Sequence, residues 1–215
     1  MKKLLLSIVS VLYITSASAD MGVNVGVSGS GGLFAASATE TSGTGSAAQK
    51  NNGTEHGGAG WASIFAELSL NDKFMIGVDY VPAALETDTT ETANSNVSGT
   101  TVTQKVQLDF EDLTTVYVGV MLNDSFYAKA GVAMVDVVTN ENLGSGGNYN
   151  DTDLEGTMFG VGYAYSADNG AFVRVEGNYL QFDAQSLTNT NNSDISVKLK
   201  NLDGLTGKIS IGKSF

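Results

Sequence analysis

Six charged residues stand among apolar neighbours in segments that alternate with a period of two: Glu67, Asp79, Lys129, Arg174, Glu176 and Lys208. Carboxylates and bases in an apolar setting can exchange protons, line a polar conduit, or neutralise one another as buried ion pairs. The spacing narrows the choice. Glu67 falls between Ala66 and Leu68, Asp79 between Val78 and Tyr80, and Lys129 between Ala128 and Ala130, while Arg174 and Glu176 flank Val175. Successive side chains of a strand point to opposite faces, so all six charges share the face opposite the large apolar residues. Three acids and three bases on one face neutralise themselves, and a plug of internal salt bridges is a better reading than a gated polar pore.

Other residues offer less. The only histidine, His56, lies in Thr54-Glu55-His56-Gly57. General-base work needs a positioned nucleophile and an orienting group beside the imidazole, and this stretch shows neither, so no enzyme activity and no cofactor are expected. Asp151-Thr152-Asp153-Leu154-Glu155-Gly156 has the alternating oxygens of a calcium loop, but the closing glutamate position is Gly162. The segment reads as acidic loop, and no metal site is expected. Further acids crowd the polar stretches, among them Glu40, Glu86, Asp88, Glu91, Asp109 and Glu111. Solubility and mutual repulsion account for them better than cation binding does. The single tryptophan, Trp61, is expected as an anchor at a membrane interface.

Eight strands would position the six charges. The first runs from Met21, with Val23, Val25, Val27 and Leu33 against Asn24, Ser28 and Ser30; the others cover about 62–70, 74–81, 102–122, 126–134, 158–165, 173–179 and 195–215. In the fourth, Val102, Val106, Leu108 and Phe110 stand in phase with Val116, Val118, Val120 and Leu122. A membrane strand needs only about 9–11 residues, so this one is expected to project beyond a bilayer. Polar, aperiodic residues 36–57, 83–101, 137–153 and 184–194 read as long loops. Asn71-Asp72-Lys73, Asn123-Asp124-Ser125 and Ala167-Asp168-Asn169-Gly170 read as tight turns. Phe74, Phe126, Phe172 and Phe215 fall on the short-turn side, where an aromatic girdle is expected.

The outline of the chain agrees with a membrane reading. Met1-Lys2-Lys3, an apolar run from Leu4 to Ile14 and Ala17-Ser18-Ala19 form a cleavable secretory signal over 1–19, leaving one barrel domain over 20–215. The formal net charge is −12, and loss of Lys2 and Lys3 makes it −14, which argues against nucleic-acid partners. There is no cysteine, so backbone pairing and packing must hold the fold without disulfides. No later apolar run is long enough to span as a helix, so a membrane-spanning form must be a barrel.

The last strand carries Leu205, Ile209, Ile211 and Phe215 on one face and Lys208 on the other. Together with the signal, the eight alternating strands, the alternation of short and long connections, and Val173-Arg174-Val175-Glu176-Gly177-Asn178-Tyr179, it resembles the small OmpA/OmpX-like outer-membrane β-barrels of Gram-negative bacteria. The resemblance implies an all-β, eight-stranded, antiparallel up-and-down barrel in the outer membrane. Ile209, Ile211 and Phe215 would then be the signal read by the barrel-assembly machinery, although Lys213 departs from the usual aromatic or apolar pattern. Partners would be outer-membrane lipids and lipopolysaccharide. The implied role is envelope integrity or surface interaction through the loops, with a narrow porin-like channel for ions or small solutes as the alternative.

Overall fold

The computed structural model describes residues 21–71, 73–95, 101–143 and 148–215. The expected signal peptide over 1–19 lies outside them, as do Asp72 of the first turn and the side chain of Val102. Extended chain dominates: β1 Met21–Ser42, β2 Gln49–Leu70, β3 Phe74–Tyr80, β4 Leu85–Glu86, β5 Thr90–Ser95, β6 Thr101–Met121, β7 Phe126–Leu143, β8 Thr152–Ser166, β9 Ala171–Phe182, β10 Gln185–Thr188 and β11 Ile195–Ser214. Eight of these form an antiparallel ring in the order β1-β2-β3-β6-β7-β8-β9-β11, and β11 pairs back onto β1. The ladder runs to the last residue, where Phe215 N–H donates to Val23 O at 2.9 Å and Val23 N–H to Phe215 O at 3.1 Å. Closure removes the open edge that hydrocarbon does not tolerate.

One end of the ring has the three tight turns. Lys73 N–H donates to Leu70 O at 3.1 Å, with Asn71 left-handed at φ 52. Asn123 Oδ1 accepts from the N–H groups of Ser125 and Phe126 at 2.9 and 2.8 Å. Gly170, at φ 81, donates to Ala167 O at 2.8 Å.

The other end differs from the expectation of loops. Residues 36–57 are mostly a β-hairpin: β1 and β2 stay paired from Met21–Leu70 out to Ser42–Gln49, around a single 3-10 turn at Gly45–Ala47. Parts of 83–101, 137–153 and 184–194 are likewise strand. Ser, Thr, Asn and Gly carry no apolar period, yet the backbone ladder of the membrane strands continues through them.

Around the membrane segment the outer wall is apolar and exposed, for example Val118, Ile64, Val161, Phe159 and Leu205. Phe74, Phe126 and Phe215 lie on this outer wall near the turns, with Phe126 packed edge-on against Tyr163 at 5.1 Å. Phe172 does not: it is buried in the lumen, in phase with Arg174 and Glu176. Trp61 is also corrected, since it shares the lumen-facing phase of Ser63, Phe65 and Glu67 and packs against Phe34 at 6.1 Å.

The long strand β6 departs from its expected single phase. Glu111 pairs with Asp136 and Thr114 with Met134, so Asp112 and Leu113 together stand against Val135 alone. This bulge, with Asp112 at φ 55, turns the strand over. Leu108 and Phe110 therefore point inward, while Val116, Val118 and Val120 face the outer wall. Inside the loop end lies an apolar cluster built on Tyr117, Ala133, Val135, Leu154, Leu180 and Phe182, against which Leu108 and Phe110 pack.

An eight-stranded lumen is only wide enough for side chains to fill. Large inward residues here lie over a glycine on the next strand. Phe65 is paired with Gly26, Tyr117 with Gly77, Tyr127 with Gly162 and Phe172 with Gly212. A Cβ on Gly77 would come within 2.6 Å of the Tyr117 ring, and one on Gly162 within 2.4 Å of Tyr127. Gly77→Val is therefore expected to cost roughly 1–3 kcal/mol by overpacking. A urea-unfolding series in lipid vesicles checks this, with Gly177→Val as control because its Cβ would meet nothing within 4 Å.

Candidate functional site

The lumen at the turn end gathers all six predicted charges. Alternation points Glu67 (β2), Asp79 (β3), Lys129 (β7), Arg174 and Glu176 (β9) and Lys208 (β11) inward, and all are buried. They form three ion pairs. Arg174 Nη1 is 2.6 Å from Glu67 Oε2, Lys129 Nζ is 2.5 Å from Glu176 Oε2, and Lys208 Nζ meets Asp79 Oδ2.

Each glutamate is held by more than its cation. Tyr117 OH donates to Glu67 Oε2 at 2.7 Å, and Asn24 Nδ2 donates to Glu67 Oε1 at 3.2 Å. Tyr127 OH donates to Glu176 Oε1 at 2.6 Å. Bonds to an ionised acceptor are the strong kind, and they satisfy lone pairs that water would otherwise serve.

The cations in turn lie on aromatic faces. Arg174 Cζ is 4.4 Å from the Phe172 centroid and 5.6 Å from that of Tyr127, and Lys129 Nζ is 4.7 Å from Tyr117. Among the described residues the guanidinium Nε has no hydrogen-bond partner, so its compensation is the ring face below it. Ser28 and Ser210 close the layer beside it through a 2.9 Å hydroxyl contact.

Tyr117, Tyr127, Asn24, Phe65 and Phe172 were missed as members of this site. Their signal was present: each is an inward-phase residue, and four of the five face a glycine across the ladder. The remaining expectations fall elsewhere. His56 pairs with Ala35 on the outer wall of the β1–β2 hairpin, away from the lumen charges. Asp153, from the calcium-like segment, is the second residue of β8 and pairs with Asp136, itself opposite Glu111. Burial, followed by a hydrogen bond to Asp153, pushes the Asp136 carboxyl above its ordinary range. Among the described residues no group of three or more His, Cys, Asp or Glu is placed to hold a metal ion. Lys213 lies on the outer phase near the turns, where its Nζ donates to Asn169 O. Ile209, Ile211 and Phe215 are exposed on the outer wall.

Solved structures match this closed ring. The outer membrane protein AlkL, determined in lipid bilayers, is 16% identical with a TM-score of 0.50, over 94% of this chain and 93% of that one. The chain has the fold of a small outer-membrane β-barrel. OprG of Pseudomonas aeruginosa aligns over 93% of this chain and 98% of its own at 12% identity and TM-score 0.49. Ail, the attachment invasion locus protein of Yersinia pestis, aligns over 87% and 99% at 11% identity and TM-score 0.38. No protein-family model and no curated protein matches the sequence.

In this barrel the six charges sum to zero and occupy the turn-end cross-section with their aromatic partners. Removing one member of such a pair leaves an uncompensated buried charge, at about 3–5 kcal/mol. Arg174→Met alone is thus expected to lower stability by about that amount, and Glu67→Leu/Arg174→Met to recover most of it. Urea midpoints of the two variants decide the matter. Equal losses would mean that the pair is not what holds Glu67 in place.

Proposed function

We propose that this outer-membrane barrel is a sealed anchor that carries a β-extension for contacts at the cell surface. The observation that supports the reading is closure of the lumen at two levels. The ion-paired layer fills the turn end, and the apolar cluster of Val135, Leu154, Leu180 and Phe182 fills the loop end above it. In barrels of this kind short turns face the periplasm and longer connections the outside, so the paired extension of β1, β2, β6, β7 and β11 stands on the outer surface. An ion entering from either side meets a filled cross-section. His56, separated from Asp203 by Ala35 on the outer wall, supports a non-catalytic role. In planar bilayers the pure protein is expected to give no unitary current steps. Reproducible steps would overturn the sealed reading.

One observation favours a second reading, passage of small apolar solutes. The inner wall above the charges is apolar, and β2 pairs with β3 only from Ile64–Tyr80 to Leu70–Phe74. Among the described residues nothing pairs with residues 49–63 of β2 on that side, which leaves a break in the wall above Tyr80. An apolar solute stopped by the charged floor would leave sideways into lipid, a route closed to ions by the cost of desolvation. Liposomes containing the protein would then take up a labelled monocyclic hydrocarbon faster than protein-free liposomes; equal rates would remove this reading.

A further inference from the structure

The loop end of this acidic chain carries few cations, and their placement is uneven. Lys105 is paired with Glu91 at 2.5 Å. The other three described there, Lys50, Lys198 and Lys200, belong to β2 and β11, on either side of β1. Lys198 is opposite Thr39 and Lys50 opposite Thr41, on the outward phase of Leu33 and Ala35. Lys200 is the extra residue of the bulge facing Ser37 and Ala38, and its Nζ donates to Asn52 Oδ1 on the same face at 2.9 Å. All three lysines are exposed, and among the described residues none is in an ion pair. The outward acid of this wall, Asp203, already accepts from Tyr179 OH and Asn201 Nδ2, while Glu40 and Glu55 take the inward phase.

The opposite charge stands directly across the ring. In the order β1-β2-β3-β6-β7-β8-β9-β11, β7 is four places from β1 in either direction. Past the lipid boundary its wall carries Glu111, Asp136 and Asp153 in one cross-strand row, with Asp109 and Asp151 beside Val138 one row further out. Like charges directly opposite one another destabilise a sheet, and the outward base described on these strands, Lys105, is already paired. A hollow of about 440 Å³ opens among Glu111, Asp136, Asp151 and Asp153, with room for an incoming side chain. The two faces also agree in height. On β7 the acids begin after Met134, so Asp136 and Val138 mark the first and second rows beyond it. On β1 the last large apolar residue is Leu33; Lys200 stands level with the second row beyond it, Lys198 with the third and Lys50 with the fourth. Lys200 is therefore level with Asp109 and Asp151. One row is about 5 Å of height on strands tilted by about 40°, a drop that the long side chain of Lys198 can cover.

We propose that the lysine face docks on the acidic face of a second copy of this chain, so that barrels in one membrane associate side by side in rows. Charge complementarity selects both the partner and its rotation. Two copies with formal net charge −12 repel at a random approach, and attraction arises where Lys50, Lys198 and Lys200 of one face the carboxylates of the other. Copies in one bilayer point the same way, so the faces meet whichever way the extension is directed. The two faces differ and lie on opposite sides of the ring, which makes the contact heterologous. It does not close on itself: each barrel in a row keeps one face free for the next. An exposed ion pair contributes little singly and is screened by salt. Several pairs made at once between molecules confined to a plane act together, and the docked lysines relieve the repulsion within the acidic row.

The test measures Förster transfer in phosphatidylcholine liposomes between donor- and acceptor-labelled copies, each labelled at Asp124→Cys in a turn far from both faces, on a chain without cysteine. At low salt, transfer is expected above the level that chance proximity gives at that surface density. Raising the salt to about 1 M, where charges are screened within about 3 Å, is expected to return it to that level. Lys50→Gln/Lys198→Gln/Lys200→Gln alone, and Asp109→Asn/Glu111→Gln/Asp136→Asn/Asp151→Asn/Asp153→Asn alone, are each expected to lose it. Mixing the donor-labelled lysine variant with the acceptor-labelled acid variant is expected to restore it, because one supplies the acidic face and the other the lysine face. Restoration also shows that both variants are folded. Chance-level transfer by the unsubstituted faces at low salt would overturn the proposal. So would transfer that survives about 1 M salt, a result that needs no face variant, or transfer retained by either variant alone.

Discussion

Hydrocarbon cannot hydrogen-bond a peptide group, and the pairing of β11 with β1 answers that constraint. Once the ladder must close with eight strands, the lumen has a fixed, small cross-section. The inner side chains then have no freedom to be large everywhere. Tyr117, Tyr127, Phe65 and Phe172 fit because Gly77, Gly162, Gly26 and Gly212 give way beside them. Those rings in turn seat the cations and, through two phenol hydroxyls, orient Glu67 and Glu176. Backbone closure thus decides side-chain volume, and side-chain volume decides where charge can be buried.

The barrel changes polarity along its axis. Within the membrane the outside is apolar and the inside polar; past the lipid boundary the inside becomes apolar and the outside carries Glu111, Asp136 and Asp153. β7 to β9 make the change by composition alone: on β9 the inward residues pass from Arg174, Glu176 and Asn178 to Leu180 and Phe182. β6 makes it by geometry. Its apolar phase would send Leu108 and Phe110 into water and Asp109 and Glu111 into the apolar cluster. One extra residue at Asp112 and Leu113 exchanges the two faces.

This division explains what could be read from the sequence. Period-two alternation identified the strands of the membrane segment and the inward placement of the six charges, because lipid outside and a filled lumen inside punish any slip of one residue. It failed at β6, where two in-phase runs were joined across residues 111–115 with no proline or glycine to mark the bulge. It failed for residues 36–57 because a solvated hairpin needs no apolar period, only a partner strand. Phe172 and Trp61 were legible by phase and misassigned by residue type: an aromatic near an interface suggested a girdle, although each alternates with outward residues of its own strand.

The same arrangement decides whether the charged layer is a gate or a fixed floor. A gate requires two arrangements close in energy, so that a modest bias shifts one to the other. Here the three pairs are not independent latches: Phe65 lies under both Lys208 and Arg174 and so joins the Lys208–Asp79 pair to the other two. Glu67 is bound to Arg174, Tyr117 and Asn24; Arg174 lies on Phe172 and Tyr127; Tyr127 holds Glu176, and Glu176 holds Lys129, which lies on Tyr117. Opening any one contact displaces a ring that fills the hollow over a glycine and exposes a charge beneath an apolar cluster rather than to water. Each step of opening is therefore paid before any hydration is recovered. The chain of contacts returns on itself, so neither glutamate pair can open alone, which supports the reading of the layer as a floor.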